Sequence, residues 1–257
     1  MTRILAVANQ KGGVGKTTTS INLAAGLSRA GKRVLLVDLD PQGNATMGSG
    51  IDKRASRATV YEVLLGDSDI ETARIRCENG DFDLVPANKE LAGAEVELVA
   101  MERRENRLKE ALAEVESEYD YILVDCPPAL NLLTVNGLTA AHAVMIPMQC
   151  EYYALEGLSD LVQTIKKVRN HLNPTLEIEG LLRTMYDSRN TLSQQVSDQL
   201  QKHFGAKVYR TIIPRNIRLA EAPSHGLPAI HFDKSSKGAL AYLSLADEIL
   251  RQPSSSQ

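Results

Sequence analysis

The sequence predicts an α/β fold of three layers, in which a mainly parallel, twisted sheet is covered by helices on both faces. Three observations lead to this class: short apolar runs alternate with segments of helical periodicity along the 257 residues, a glycine-rich segment joins the first run to the first helix, and two later runs end in aspartate. Such alternation is typical of parallel sheets, whose ligands bind at the carboxyl ends of the strands. We expect one domain over residues 1–252 and a disordered tail at 253–257.

Seven apolar runs are predicted to form strands, and the periodic segments between them are predicted to form helices. The strands are expected at 3–9, 33–38, 82–86, 120–125, 143–148, 178–185 and 207–213. The helices are expected at 16–30, 59–66, 89–117, 130–141, 153–172, 190–204 and 237–251. Because 43% of the residues are hydrophobic and few are aromatic, the core is expected to be aliphatic, as in most buried parallel sheets.

The segment between the first strand and the first helix has the composition of a phosphate-binding loop. Glycine lets the backbone approach phosphate closely, and the N–H groups at the start of the next helix then point at its oxygens. Lys16 would reach the β- and γ-phosphates, and the hydroxyl of Thr17 would ligate Mg²⁺. Nucleotide contacts are therefore predicted at Gly12, Gly13, Val14, Gly15, Lys16, Thr17 and Thr18.

This loop departs from the usual G-x-x-x-x-G-K-[ST] pattern, because Gln10 stands where the first glycine belongs. A second lysine, Lys11, follows it. Phosphate-cleaving enzymes with such loops often take an extra cation from a partner chain. Since Lys16 already serves its own loop, Lys11 could point outward, toward a nucleotide bound by a facing subunit. The alternative is an ordinary surface lysine.

Two of the predicted strands end in carboxylates. One ends at Asp38, and Pro41 indicates that this strand stops before Asp40, which then begins a loop. A carboxylate beside a triphosphate either holds Mg²⁺ through water or orients the attacking water, and we expect Asp38 to act through water. The other strand ends at Asp125 and has the form of a strand whose aspartate binds the Mg²⁺ shell. The alternative reading is that these aspartates only cap turns.

Composition limits the other functions that the chain could have. The net charge of −3 does not indicate a nucleic-acid binder. Residues 160–220, however, carry 10 Lys and Arg against 5 Asp and Glu, which fits either a local basic face or an ordinary solvated surface. The three cysteines, Cys77, Cys126 and Cys150, are far apart and give no support to a metal cluster. With no leader segment and no apolar run that spans a bilayer, we expect a cytoplasmic protein.

Residues 11–18 resemble the deviant Walker A loop of the ParA/MinD superfamily of P-loop ATPases, and Lys11 stands at the position of its signature lysine. Three longer segments, 37–46, 149–157 and 213–226, are similar to those of the ParA/Soj chromosome-partitioning ATPases. The resemblance extends from about residue 3 to residue 250 and is most specific in the long segments.

The resemblance implies an ATP- and Mg²⁺-dependent homodimer, in which Lys11 contacts ATP bound to the partner subunit and Gly12 stays small so that the two loops can approach. It implies that Asp40 serves hydrolysis and that Asp125 binds the metal. The implied partners are double-stranded DNA, bound without sequence preference at the nucleoid, and a ParB-type centromere-binding protein that stimulates hydrolysis. The remaining implied sites are Pro214 and Asn216 near adenine and ribose, and Arg189 and Arg218 on DNA.

Three alternatives share the same fold. A membrane-cycling ATPase similar to MinD needs a basic amphipathic helix at the carboxyl end, whereas the last predicted helix contains Asp247 and Glu248 and no lysine cluster. A metal-cluster carrier is disfavoured by the absence of cysteine pairs. An ATP-dependent metabolic ligase or kinase stays open, because a fold does not determine a function.

Overall fold

The computed structural model describes residues 2–54, 56 and 58–252, so the predicted tail at 253–257 lies outside the described residues. The strands are β1 (Arg3–Val7), β2 (Val34–Asp38), β3 (Ile75–Cys77), β4 (Phe82–Val85), β5 (Tyr121–Asp125), β6 (Ala143–Gln149), β7 (Glu177–Tyr186) and β8 (Val208–Pro214). The helices are α1 (Lys16–Arg29), α2 (Asn44–Gly48), α3 (Val60–Leu65), α4 (Ile70–Ala73), α5 (Leu91–Val99), α6 (Arg107–Val115), α7 (Leu132–Ala140), α8 (Ala154–His171), α9 (Thr191–Phe204), α10 (Ile217–Glu221), α11 (Ala229–Phe232) and α12 (Lys237–Arg251).

The eight strands form one sheet in the order β3-β4-β2-β5-β1-β6-β7-β8. Strand β3 runs antiparallel to β4, and the other neighbours are parallel, which confirms the predicted mainly parallel sheet. Strands β2, β5 and β1 lie side by side, and Asp125 at the end of β5 is in register with Asp38 on one side and Val7 on the other. The glycine-rich loop and both strand-end carboxylates therefore lie together at the carboxyl ends of the central strands.

Helices cover both faces of this sheet, because alternate residues of each strand point to opposite layers. In β5, Ile122 and Val124 pack into the layer that contains α3 to α9, whereas Leu123 packs into the layer that contains α1, α2 and α10 to α12. Both interior faces are built mainly from Leu, Ile, Val and Ala. None of the helices in the described part of the chain is long and apolar enough to cross a membrane.

The fold differs from the prediction in one long helix, in one strand and in the four short helices α2, α4, α10 and α11, which were not predicted. The helix expected over 89–117 is wrong, because α5 and α6 are separated by a turn in which Arg103 adopts a left-handed backbone with φ 53°. The buried residues of both helices keep helical spacing, so periodicity runs through a break that neither glycine nor proline marks. The three-residue strand β3 was not predicted either, because it is too short to give an alternating pattern.

Candidate nucleotide-binding site

The loop between β1 and α1 forms an open cradle of backbone amides. Gly13 and Gly15 have φ values of 74° and 87°, a region that favours glycine. A Cβ atom built on Gly12 or Gly13 would meet nothing within 4 Å, so the loop faces open space. Helix α1 starts after Gly15 with no side-chain cap and no acidic residue in its first turn. Its first N–H groups and its positive end are therefore available to an anion.

Side chains near the start of this loop tie it to neighbouring strands and helices. Asn9 donates through Nδ2 to the carbonyl of Pro147 at 2.8 Å and accepts the amide of Lys11 at 3.0 Å. Gln10 donates through Nε2 to the carbonyl of Gly157, in the first turn of α8, at 2.8 Å. The residue that breaks the usual loop pattern thus anchors the loop to α8, which a glycine could not do.

Lys16 is the buried cation of the site. It is the first residue of α1, is 7% exposed, and lies with Nζ 3.4 Å from the carbonyl oxygen of Lys11. Burial lowers the pKa of the Lys16 ammonium, whereas nearby negative charges, that of Asp125 foremost, act in the opposite direction. Its charge therefore lies at the start of the uncapped helix, where a polyanion would bind.

Asp125 lies at the side of the loop and is fully buried. Its two oxygens accept hydrogen bonds from Thr17 Oγ1 at 2.7 Å and from Ser20 Oγ at 2.9 Å. Burial, reinforced by the charge of Asp38 on the next strand, raises the pKa of Asp125 to about 7. The predicted neighbours Thr17 and Asp125 are thus in direct contact, and Ser20 is a further member of the site.

Asp38 is held from the opposite side by residues that follow β2. Its Oδ2 accepts the amide of Thr46 at 2.8 Å and the hydroxyl of Thr46 at 2.7 Å, and its Oδ1 accepts the amide of Asp40 at 3.2 Å. Burial raises the pKa of Asp38 to about 6 although these hydrogen bonds oppose the shift. Thr46 also accepts the amide of Ala87 at 3.0 Å, which links Asp38 to the end of β4.

Asp40 lies in the loop after β2, as Pro41 predicted. Its Oδ1 accepts the amide of Gln42 at 2.9 Å, and its carbonyl accepts the amide of Gly43 at 2.8 Å. Oδ2 accepts no hydrogen bond from the described residues. Asp40 is 9% exposed and its charge acts on Lys16, so the structure brings this carboxylate to the same site.

Lys11 lies at the surface beside the loop and contacts a carboxylate of its own chain. Its Nζ donates to Glu151 Oε2 at 2.5 Å, and the side chains are 42% and 50% exposed. Glu151 lies three residues before the start of α8 at Ala154, in one of the segments that carry the family resemblance. Sequence reasoning singled out that segment but missed the contact, because nothing in the spacing pairs residues 140 positions apart.

Two further predicted nucleotide contacts lie at the carboxyl end of the outer strand β8 or directly after it. Pro214 ends β8 and is paired in register with Tyr186 of β7. Asn216 caps α10, since its Oδ1 accepts the amide of Arg218 at 3.0 Å. The structure thus places both residues on the side of the sheet where the strands have their carboxyl ends, which is also the side of the loop.

The two predicted DNA-binding arginines follow the carboxyl ends of the neighbouring strands β7 and β8. Arg189 is 89% exposed in its side chain and pairs with Asp187 through Nη2 at 2.9 Å. Arg218 is 47% exposed and pairs with Glu221 at 2.8 Å and Asp233 at 3.4 Å. Both arginines are accessible, and each carries an acidic neighbour that reduces its local field.

Comparison with known proteins identifies the family. A sequence profile described as an AAA domain matches residues 2–178. The chain is 56% identical over 249 residues to the sporulation initiation inhibitor protein Soj of Bacillus subtilis, and the match covers 97% of this chain and 98% of that protein. The chain belongs to the ParA/Soj family of partitioning ATPases. The chromosome partitioning protein ParA of Caulobacter vibrioides is 52% identical over 250 residues, with 96% and 94% covered.

A solved structure agrees in fold with this ParA/Soj-family chain. It is described as cobyrinic acid a,c-diamide synthase from Mycobacterium smegmatis with bound ATP analogue and magnesium; it is 45% identical, has a TM-score of 0.86, and is matched over 98% of this chain and 95% of that chain. ATP and Mg²⁺ are the cofactors of this P-loop ATPase. The described residues fit both: the uncapped start of α1 suits phosphate, and the Thr17 hydroxyl beside Asp125 supplies the hard oxygen donors that Mg²⁺ prefers.

The buried pair of Asp38 and Asp125 predicts how stability depends on pH without nucleotide and Mg²⁺. The folded state keeps protons that the unfolded chain, with ordinary carboxyl pKa values near 4, has already released. Between about pH 4 and pH 7 the folded state therefore binds more protons, and the free energy of unfolding falls as pH rises. We expect Asp38→Asn to reduce this fall by at least about 1 kcal/mol.

Urea unfolding at pH 5 and pH 8 in the presence of a chelator measures this effect. Asp52→Asn, at an exposed loop position, is the matched control and should behave as the wild type. If the free energy of unfolding depends on pH in the same way in the wild type and in Asp38→Asn, the raised pKa values of the two buried carboxyl groups are not the cause of this dependence.

Proposed function

We propose that the chain partitions DNA as an ATP-bound homodimer whose hydrolysis depends on Mg²⁺. The dimer binds double-stranded DNA without sequence preference, and a ParB-type centromere-binding protein stimulates hydrolysis, which releases the chain from DNA. The observation that carries the proposal is the open, uncapped start of α1, with the buried Lys16 and the contact between Thr17 and Asp125 beside it. The partitioning relatives Soj and ParA match 97% and 96% of the chain, which supports the assignment.

The loop residues bind and orient the phosphates in this proposal. The N–H groups that follow the glycines point at phosphate oxygens, and Lys16 neutralises them. Thr17 and Asp125 would hold Mg²⁺, and Asp38 would hold it through water; when bound, the ion would neutralise charge that develops on the phosphates. The residues assigned to the nucleotide are Lys11, Gly12, Gly13, Val14, Gly15, Lys16, Thr17 and Thr18, with Pro214 and Asn216 near adenine and ribose.

Asp40 orients the water that attacks the terminal phosphate. Its Oδ1 is engaged by the amide of Gln42, which fixes the carboxylate, whereas its Oδ2 accepts nothing from the described residues. The fixed carboxylate can therefore accept a proton from water through Oδ2. Its charge acts on Lys16, so Asp40 lies at the phosphate end of the loop.

Lys11 serves the nucleotide of the partner subunit. Its ammonium is half-exposed and lies beside Glu151, so it is accessible to a second copy of the chain. An exposed ion pair of this kind contributes only about 0–1 kcal/mol to stability. A nucleoside triphosphate, which carries several negative charges, attracts the Lys11 ammonium more strongly than Glu151 does. Exchange of Glu151 for the partner's ATP would thus couple nucleotide binding to dimerisation.

DNA binding by Arg189 and Arg218 follows from dimerisation. Both lie after the carboxyl ends of adjacent strands, inside the basic stretch 160–220. A single copy offers few such contacts and pairs each arginine with a carboxylate. A dimer doubles the number of cations that face the DNA, and phosphate contacts of this kind are strongly dependent on salt.

A metabolic ATP-dependent enzyme is the second candidate, favoured by the description of the M. smegmatis structure as a cobyrinic acid a,c-diamide synthase. A MinD-like membrane cycle is less well supported, because α12 packs into the core and its Glu248 accepts the amides of Arg210 and Thr211 at 2.7 and 2.8 Å.

ATP hydrolysis measured with and without DNA and the ParB-type protein separates these functions. Stimulation by both macromolecules is expected; turnover that requires a small-molecule substrate instead would contradict partitioning.

Mixing two inactive variants tests whether Lys11 acts across the dimer. We expect Lys11→Ala and Asp40→Ala each to bind ATP and to lose hydrolysis. In a mixed dimer one site has its own Asp40 and the partner's Lys11, so hydrolysis should return to about a quarter of the wild-type rate, since half of randomly formed dimers are mixed and each has one complete site. The measurement is phosphate release by the mixture.

The control for this experiment mixes the Asp40→Ala variant with itself and with Lys89→Ala, an exposed lysine elsewhere on the chain. The self-mixture should stay inactive, and the mixture with Lys89→Ala should retain activity. If the Lys11→Ala and Asp40→Ala mixture stays inactive although mixed dimers form, both residues serve the same nucleotide and the exchange across the dimer is wrong.

Substitution of the arginines should weaken DNA binding through phosphate contacts. Arg189→Ala or Arg218→Ala removes two contacts from each dimer, so the slope of log K against log salt should fall by about 1.8, with ATP affinity unchanged. Fluorescence anisotropy of labelled duplex DNA in the presence of ATP measures the slope. Arg33→Ala is the matched control. Arg33 is 59% exposed and is ion-paired with Asp120, and both residues lie at the amino-terminal ends of their strands, away from the two arginines. Equal effects of all three substitutions would exclude a specific role for the two arginines.

A further inference from the structure

Thr184 contacts the phosphate-binding loop from the end of β7, and the function proposed above makes no use of it. Its Oγ1 donates a hydrogen bond to the carbonyl of Val14 at 2.8 Å, across 170 positions of the chain. Both residues are buried, so water has little access to this bond. The methyl carbon Cγ2 of Thr184 lies 3.8 Å from the position that a Cβ atom on Gly15 would take. The side chain therefore touches the loop with both of its branches.

The end of β7 places this side chain against the loop. Alternate residues of a strand share a face, so Thr184 lies on the same side as Leu182, which packs into the layer that contains α1. Thr184 is paired in register with Gln149 of β6, and the next residue, Met185, has a left-handed backbone with φ 47°. This conformation interrupts the regular strand geometry directly after Thr184. Gln149 Nε2 contacts Met185 Sδ at 2.6 Å, so β6 helps to fix the position of the Thr184 hydroxyl.

The hydrogen bond to Val14 fixes the direction of the next backbone amide. The peptide between Val14 and Gly15 is trans, and in a trans peptide the C=O and N–H bonds point in opposite directions. Because the carbonyl of Val14 points at Thr184, the N–H of Gly15 points away from Thr184. This N–H donates to no acceptor of residues 2–54, 56 and 58–252. It lies directly before Lys16 and the uncapped start of α1, where an anion would bind.

We propose that Thr184 is a positioning residue for nucleotide binding, because its hydroxyl turns the N–H of Gly15 toward a phosphate group. The inference rests on the proposed function, which assigns this loop to ATP. Gly15 has a φ of 87° and no side chain, so nothing in the residue itself holds the peptide in one orientation. Thr184 supplies the constraint that the glycine lacks, and the amide is therefore oriented before the nucleotide binds.

The proposal depends on the hydroxyl of Thr184 and not on the volume of its side chain. In Thr184→Val a methyl group replaces the hydroxyl in a side chain of nearly the same shape. The buried carbonyl of Val14 then lacks its donor, which is costly, so the peptide turns toward another partner. The N–H of Gly15 turns with it and no longer points at the phosphate. Thr184→Ser keeps the hydroxyl and should therefore keep the orientation.

Titration with ADP and Mg²⁺ measures the effect on binding without hydrolysis. The dissociation constant should rise about tenfold in Thr184→Val and in Thr184→Ala, since the aligned amide makes one charge-assisted hydrogen bond to the nucleotide. Thr184→Ser should bind within about twofold of the wild type. Thr2→Val is the matched control and should bind as the wild type does. Thr2 is buried, and its hydroxyl donates to the carbonyls of Glu116 and Tyr119 at 2.7 and 2.8 Å, directly before β1 and away from the loop.

A single NMR signal reports the orientation of this peptide directly. Residues 14 and 15 form the only Val-Gly step of the sequence, so carbonyl-¹³C valine and ¹⁵N glycine together label this peptide alone. Without nucleotide, its carbonyl and amide shifts should be alike in the wild type and Thr184→Ser and different in Thr184→Val.

Three results would overturn the positioning role alone: unchanged shifts in Thr184→Val, equal ADP affinity of the wild type and the variants Thr184→Val and Thr184→Ala, or an equal loss of affinity in Thr2→Val, which would assign the effect to stability. A wild type that binds no ADP would overturn the proposed function, and the positioning role with it.

Discussion

Two buried carboxyl groups at the ends of neighbouring strands organise the nucleotide site. Asp38 and Asp125 are in register on β2 and β5, so their side chains lie close together in a region without water contact. Each carboxylate is compensated by its own set of donors, and the ammonium of Lys16 adds a positive charge. The donors are Thr17 and Ser20 for Asp125, and Thr46 and the amide of Asp40 for Asp38.

This arrangement explains why so many of the connections around the site are polar. Burying an uncompensated carboxylate costs several kcal/mol, so the first turns of α1 and α2 and the loop after β2 direct hydroxyl and amide groups toward the two aspartates. The residual penalty appears as the raised pKa of both aspartates. A bound divalent cation would favour the ionised forms, which makes the site structurally prepared for Mg²⁺.

The irregular start of the loop has a different physical basis. Gln10 anchors the loop to α8, and Lys11 lies beside Glu151 at the surface. The anchor is a hydrogen bond at a half-buried position, whereas the lysine pair is exposed and weak. A rigid anchor next to a releasable cation suits a loop that offers its lysine to a second subunit. The two arginines assigned to DNA follow the carboxyl ends of the neighbouring strands β7 and β8.

Most of the sheet and the core of the site could be predicted from the sequence, because seven strands and the glycine loop give strong local patterns. Asp38, Asp125 and Lys16 follow from strand ends and loop chemistry. The contacts of Ser20, Thr46 and Glu151 could not be predicted, since they join residues that only the fold brings together. The break between α5 and α6 could not be predicted for a different reason: Arg103 adopts its left-handed backbone conformation although no glycine, asparagine or proline at this position indicates it.

Light scattering of the purified chain with Mg²⁺ and a non-hydrolysable ATP analogue, compared with Mg²⁺ and ADP, tests the central claim that nucleotide state and oligomeric state are one variable. The mass expected with ADP is that of the 28.1 kDa chain, and the mass expected with the analogue is twice that value, with DNA bound only by the dimer. A mass of one chain under both conditions, together with equal DNA binding, would contradict the claim.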